Sequence, residues 1–313
     1  MESSVYVAVR NLAAEVGFDD CGVAPVAPLN DFAPLLDTWL ALGAQADMHF
    51  MEDHRDLRVD PSLLFPGAKS IVSLLLAYKP SQSLSHPPLI AQYAYGEDYH
   101  SRMKRMLFQL LDKIQALYPD FSARPFVDTA PISDKLWAAR AGLGWIGRNT
   151  LLISPTFGSY CFIGELVTSF QFDRYDAPIP PQCGSCHRCL DACPNHALIP
   201  ANNTPPTSQT LQTHQTLLFS PRCTSYNTIE NRNSDLPDNL VQAGYAFGCD
   251  ICQRVCPFNI SAPVSLQISD QRLQELQSLA SADEPSFRRL SRHSALNRIK
   301  YPQWLRNIRK AHE

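Results

Sequence analysis

No stretch of this 313-residue chain is long and apolar enough to span a bilayer. The longest apolar run, residues 70–78, has the length of a buried strand. The opening residues, Met1 to Tyr6, carry neither the basic nor the apolar region of an export signal. A cytoplasmic location without membrane association is therefore expected, with reduced cysteines instead of disulfides. Positive charge is not in excess. The 27 Lys and Arg stand against 30 Asp and Glu, a net charge of −3, which excludes a chain that coats nucleic acid through its overall charge. The usual nucleotide motifs are missing as well. There is no G-x-x-x-x-G-K-[ST] loop, and Gly142-x-Gly144-x-x-Gly147 follows a helical stretch where a dinucleotide fingerprint would open one. Charged residues make up only 18% of the chain and apolar ones 45%, enough to bury a substantial core.

What is present is cysteine, unevenly spread. Eight of the ten lie between residues 183 and 256. Cys183-x2-Cys186-x2-Cys189-x3-Cys193-Pro194 is the run of bacterial two-cluster ferredoxins, whose fourth cysteine ligates the other cluster. Cys249-x2-Cys252-x3-Cys256-Pro257 is one ligand short, and Cys223, the only cysteine between the groups, makes up the deficit. The arithmetic closes on two 4Fe–4S clusters with exchanged ligands. Cys183, Cys186, Cys189 and Cys256 would hold one, and Cys193, Cys223, Cys249 and Cys252 the other. Soft thiolates favour such clusters. A zinc ribbon would use two C-x2-C pairs and has no need of a third cysteine followed by x3-C-P. Cys21 and Cys161, in apolar strand-like surroundings, are expected to be small buried hydrophobes.

Helical stretches at 4–17, 30–42, 98–117 and 132–142 alternate with strand-like segments near 21–25, 70–78, 125–128, 151–154 and 160–170. The 48–66 stretch reads as irregular. This pattern suggests an α+β or α/β catalytic layer in residues 1–175. Residues 176–262 form the cysteine unit, with a Thr-, Asn-, Gln- and Pro-rich insertion at 201–215, and residues 263–313 form a helical end. About 180 residues precede the first cysteine, far more than a bare ferredoxin needs, so a second cofactor or substrate domain is expected. From Phe287 onward eight Lys or Arg meet a single acid, Glu313. Such a run is either a solvated helix face or a phosphate-contacting patch, and Arg306, Arg309 and Lys310 are the residues expected to touch RNA.

Several motifs, in order, resemble the epoxyqueuosine reductases, cobalamin-dependent enzymes of the last step of queuosine synthesis on tRNA. They are residues 60–72 (DPSLLFPGAKSIV), 93–100 (YAYGEDYH), 127–131 (VDTAP), 138–150 (AARAGLGWIGRNT), 158–166 (GSYCFIGEL) and 223–230 (CTSYNTIE), together with both cysteine groups. Gln92 and Glu97 stand where arginines are expected and Arg148 where lysine is common, and the 201–215 insertion is longer than usual. The sequence runs to residue 313 without the C-terminal HEAT-like repeat of many members.

The resemblance implies a nitroreductase-like α/β domain holding a corrinoid beside a ferredoxin-like domain, the two giving an α+β protein with C-terminal helices. It implies that clusters relay single electrons from a low-potential donor to cobalt, and that the epoxide at the tRNA wobble position becomes a cyclopentene diol. Two electrons and two protons are needed, so a general acid is required. Asp128 matches the family's active-site aspartate and is expected to be kept protonated by desolvation against the macrocycle. Its alternative is a cap for the following helix. Asp134 is the runner-up, with a surface role expected. Arg58, Tyr99, His100, Asp128, Ile153, Gly164 and Ser225 are the expected corrinoid contacts. His100 is either a cobalt ligand or a hydrogen-bonded structural histidine, and the family's histidine-free lower cobalt face favours the latter. A monomer is expected. The rivals are a corrinoid reductive dehalogenase, which usually carries a twin-arginine signal, and a non-catalytic two-cluster electron carrier, which would leave the 127–131 motif unexplained.

Overall fold

The computed structural model describes residues 4–200 and 216–312. Helix α1 (Val5–Val16) buries Tyr6, Val9 and Ala13 and stops at Gly17, whose φ of +101° lets its N–H reach back to the Ala13 and Ala14 carbonyls. Strand β1 (Asp20–Pro25) and helix α2 (Ala33–Ala41) follow. The 48–66 stretch holds two short helices, α3 (Phe50–Asp53) and α4 (Arg55–Val59), where an irregular course is expected from sequence. Strand β2 (Ser70–Ala77) is buried at all eight positions. After β3 (Leu89–Ile90), helix α5 (Tyr99–Leu117) starts at Asp98, whose carboxylate accepts the His100 N–H. Its apolar stripe is core from Met103 to Ile114 and exposed only at Leu117, the last helical residue, while Phe108 lies off the stripe and is exposed as well. Then come β4 (Ala123–Phe126), α6 (Asp134–Arg140), the β5 (Trp145–Ile146) and β6 (Leu152–Ile153) hairpin, and β7 (Cys161–Thr168).

The main sheet runs β1-β2-β7-β4 and every pairing in it is antiparallel. That decides for α+β over α/β, since α/β layers rest on parallel strands with crossover helices. Alternation along β2 sends Val72, Leu74 and Leu76 toward α1 and α5, and Ile71 and Leu75 toward α2 and α6. The sheet is therefore covered on both faces, and the loops at the C-terminal end of β4 and around α6 are left to build a site.

The cysteine unit is loop-rich. It contains α7 (Arg188–Asp191), the β8 (Leu198–Pro200) and β9 (Thr216–Leu218) hairpin, α8 (Thr224–Ile229), β10 (Tyr245–Phe247), α9 (Ile251–Arg254) and α10 (Pro257–Ser261). The 201–215 insertion lies outside the described residues. Pro257 opens α10, where its missing N–H costs nothing, with Cys256 at the N-cap. A buried polar network joins this unit to the sheet. The Asn259 side chain accepts from Ser159 N–H and donates to Ser159 Oγ and to the Gln253 carbonyl, while Ser159 Oγ donates to Gln253 Oε1. Gly158, at φ +63°, passes so close that a Cβ there would sit 2.0 Å from Asn259 Oδ1.

Helices α11 (Asp270–Ser278), α12 (Glu284–Ser291) and α13 (Tyr301–Ala311) complete the chain. They do not form an isolated segment: Trp304, Phe287 and Leu279 share one core with Ile90, Tyr95 and Phe247. The Asn307 amide, fully buried, donates to the Thr228 and Ala246 carbonyls and so ties α13 to the cysteine unit.

Candidate active site

The eight cysteines divide between two cavities. Cys183, Cys186, Cys189 and Cys256 line one of about 240 Å³, and Cys193, Cys223, Cys249 and Cys252 line another of about 370 Å³. Each terminal cysteine has thus crossed over, Cys256 to the first group and Cys193 to the second. Four soft sulfurs around a space of this size suit a polynuclear cluster, whereas zinc would draw four ligands onto one ion. Among the described residues no group of ligating side chains converges in that single-ion way.

The second cavity opens past its cysteines onto Tyr99 and Asp128, and adjoins a cleft of about 700 Å³ that Arg58, Tyr99, His100, Asp128 and Ser225 also line. One wall is a column of rings. Tyr78 stacks on Phe162 at 4.5 Å, Phe162 on Tyr99 at 4.4 Å with planes 1° apart, and Tyr99 on His100 at 4.0 Å. Asp128 stands at the apex of a tight turn with φ +48°, where Thr129 N–H bonds back to the Val127 carbonyl. A non-glycine residue in that region is costly and persists where the surroundings impose it, which is common at active sites.

Asp128 does not cap α6. Ser133 occupies that position, and the Asp128 carboxylate faces the cleft with 55% of its side-chain surface open. Oδ2 receives both the Tyr99 hydroxyl at 2.5 Å and His100 Nε2 at 3.1 Å, which leaves Oδ1 for a ligand. The expectation of a protonated Asp128 is overturned here. The His100 bond holds its carboxyl below the usual range against the opposing pull of burial, and Tyr99 adds to the lowering. Burial pulls the His100 imidazolium down, but bonds to Asp128 and, through Nδ1, to Asp98 at 2.8 Å raise it overall. With both ring nitrogens engaged, His100 is a structural and electrostatic partner, not a metal ligand.

The neighbouring carboxyl behaves in the opposite way. Asp134, at the start of α6, lines the second cavity instead of the surface, and burial raises its pKa, offset in part by Lys135. Lys135, pushed down by the same burial, donates from Nζ to the Thr150 carbonyl at 2.9 Å. Lys135 lines the second cavity, and sequence reasoning passed it over. The adjacent Asp-Lys pair at a helix start was the available signal.

Comparison with known proteins places this geometry. A family model described as "Epoxyqueuosine reductase QueG, DUF1730" matches residues 58–129, and one described as "4Fe-4S double cluster binding domain" matches residues 182–259. The epoxyqueuosine reductase of Leadbetterella byssophila is 39% identical over 306 residues, covering 96% of both chains. The chain belongs to the epoxyqueuosine reductase family. Among solved structures, the epoxyqueuosine reductase of Streptococcus thermophilus superimposes with a TM-score of 0.82 at 27% identity, over 97% of this chain and 80% of that one. A crystal structure of an epoxyqueuosine reductase with an epoxyqueuosine-modified tRNA-Tyr stem loop gives a TM-score of 0.79 at 29% identity, over 98% and 81%.

Within this epoxyqueuosine reductase fold, not every expected residue reaches the cleft. Ile153 is buried with Trp145 and Cys256 beside the first cysteine cavity, because the β5–β6 hairpin turns that way. Gly164 is buried within β7, where an added Cβ would meet Met103 at 2.7 Å, so its role is close helix packing. The glycines of 142–147 serve packing too: Gly142 has φ +73° at the end of α6, and a Cβ on Gly144 would lie 2.2 Å from the Ile153 carbonyl. Cys21 is buried as expected, whereas Cys161 is only partly so and lines the second cavity.

The basic C-terminal end is largely spoken for. The Arg306 guanidinium donates to the carbonyls of Asn227, Asn231 and Asn233 and to Asn307 Oδ1 at 2.5–3.1 Å, which makes it a structural pin, not a phosphate contact. Arg288 pairs with Glu284 and Arg298 with Glu230, acids outside the window that sequence counting used. Lys310 donates to the Asp238 carbonyl at 3.2 Å, and Arg309 is exposed. The one basic residue of this end that lines the cleft is Arg298.

Proposed function

We propose that this protein reduces epoxyqueuosine to queuosine in tRNA, with electrons passing through two 4Fe–4S clusters to a cobalamin seated in the cleft. One juxtaposition carries this reading: the open Oδ1 of Asp128 faces the space that Cys193, Cys223, Cys249 and Cys252 line from the other side.

The residues present suit a corrinoid. The cleft is broad, one wall is a flat aromatic column, and buried polar atoms without protein partners, Arg58 Nε and Ser220 Oγ, line it. Such atoms match the amide-rich rim of a corrinoid, since buried donors need acceptors. Arg58, Tyr99 and Ser225 would hold it. When bound, cobalamin supplies a strongly reducing cobalt centre.

The chain's own residues manage protons and position. Opening the epoxide to an alkene consumes two electrons and two protons and releases water. Asp128 passes the proton on: ionised at rest, it receives one from His100 Nε2, 3.1 Å from Oδ2, and delivers it to the epoxide oxygen, while Tyr99 fixes the carboxylate. Asp134, whose pKa burial raises, is the second candidate acid. Arg298 and the exposed His54 at the cleft mouth are placed to meet backbone phosphates, which position a splayed-out base without reading it. Arg309 and Lys310 would add contacts farther out.

The test is anaerobic protein with clusters and cobalamin, given tRNA carrying epoxyqueuosine and a chemical reductant, with released nucleosides measured by mass. Conversion to queuosine that disappears in Asp128→Asn, with cluster and corrinoid spectra intact, is the expected result. Conversion at the parent rate in that variant moves the acid role to Asp134.

A further inference from the structure

We propose that the surface over the first cysteine cavity is the docking site of a small acidic one-electron carrier protein. The proposal rests on reading the eight cysteines as two clusters and goes further, to the class of donor and the place where it binds.

The two cavities differ in what covers them. Between residues 180 and 188 every residue is exposed except the partly buried Cys183 and Cys186, so the first cavity lies beneath a single loop. The second is lined by buried Tyr78, Ser159, Thr224, Asp250 and Gln253 and faces the cleft. An electron from outside therefore reaches the first cavity first.

The charge around that cavity has one sign. Three segments build its walls, residues 145–153, 177–190 and 251–264. Together they contain Arg148, Arg188 and Arg254 and no Asp or Glu, in a chain whose net charge is −3. Arg148 and Arg188 line the cavity itself, and Arg148 donates to the Gly184 carbonyl at 2.8 Å, which fixes the loop. Three acids adjoin these segments along the chain: Asp191 is engaged by His187, Asp176 by Tyr6 and Arg10, and Asp250 is buried and lines the second cavity. Apolar area lies beside the charge. Pro257 is exposed and lines the cavity, and Ile260, one turn on along the same face of α10, is 65% exposed. Lys79 holds α10 in place by donating to the Asn259, Ile260 and Ala262 carbonyls. A cationic rim beside a small apolar patch over a redox centre fits an acidic carrier, with charge steering the encounter and apolar contact completing it. Tight binding is not needed, since electron-transfer complexes use small interfaces.

The test uses holoenzyme with both clusters and follows bleaching of their absorbance in a stopped-flow instrument. One arm mixes it with a reduced acidic ferredoxin, the other with photoreduced deazariboflavin, a small neutral reductant. The expected result is a ferredoxin rate that falls as salt rises and that drops about tenfold or more in Arg188→Glu, in line with electrostatic steering. Ile260→Glu should slow it as well, and both variants should bleach with deazariboflavin at the parent rate. Parent-like ferredoxin rates in both variants, or a rate indifferent to salt, would overturn the docking site. If Arg188→Glu fails to assemble clusters, Ile260→Glu decides alone, and a parent rate there overturns the proposal. Turnover of epoxyqueuosine tRNA with deazariboflavin stands independently of the docking site, whereas protein without clusters defeats the functional reading itself.

Discussion

The two cysteine cavities are built from nearly the same motif, yet one lies under an exposed loop and the other under buried walls. The difference comes from what each motif is spliced into. The 183–193 run follows a Pro-rich exposed stretch and is backed by α7, the β5–β6 hairpin and the start of α10. Cys223, Cys249 and Cys252 sit among α8, β10 and α9, where Asn307, Thr228 and Gly248 tie the elements together by buried hydrogen bonds. A motif therefore fixes which metal can bind, and its setting fixes whether that metal meets solvent or substrate.

The sharpest break of the comparison is at the crossed ligands. Cys256→Ala, in the second motif, should cost the first cavity its cluster, so that iron falls by about half and turnover is lost. Retention of the first cluster with loss of the second would show that no exchange occurs. At the inner end, Asp128→Asn should lower turnover about 100- to 10,000-fold while both clusters keep their spectra. The proton supply adds a pH signature. A histidine raised above its ordinary value of about 6.5 keeps its proton to higher pH and loses it as pH rises through the folded value. Asp128, held low, stays ionised until pH falls well below its ordinary range. Turnover should therefore decline on an alkaline limb lying above pH ~6.5, and His100→Gln should lower the rate and remove that limb. An unchanged pH profile in His100→Gln would remove the relay.

Smaller effects distinguish the walls. Arg306→Ala should destabilise the fold by about 2–3 kcal/mol, because three carbonyls near α8 lose a charged donor, and should loosen the inner cluster before the outer one. Denaturant melts followed at cluster absorbance would show this, and equal stability of both variant and parent would contradict the pin. Arg309→Ala should leave stability within about 0.5 kcal/mol and reduce the salt slope of tRNA binding by about one. No change in that slope would return α13 to a purely structural part.

The grouping of the eight cysteines around two cavities was legible in the sequence because most of it is local: short spacers wrap one turn, and the ferredoxin rule supplies the exchange. Asp128 was legible as a position through its motif. Its ionisation was not, since that depends on His100, 28 residues away in sequence, with Tyr99 beside it. Arg306 misled for the same reason. Its partner Asn227 lies 79 residues away, so the composition of its own helix said nothing about whether its charge was taken. Ile153 and Gly164 sit in family motifs, but side-chain direction in a two-residue strand or within a covered sheet is set by packing that spacing does not encode.

The polar seam between sheet and cysteine unit has a bearing on protein engineering. Asn259 bonds to Ser159, Gln253 to Ser159 and Tyr78, and Asp250 to the Gln92 N–H. Cut out as a cassette, residues 176–262 would leave those three side chains short of partners that lie in the first half of the chain. An unpaired buried polar group costs about 1–3 kcal/mol. A chimera that borrows the cluster unit for another reductase would have to bring residues 78, 92 and 158–159 along with it.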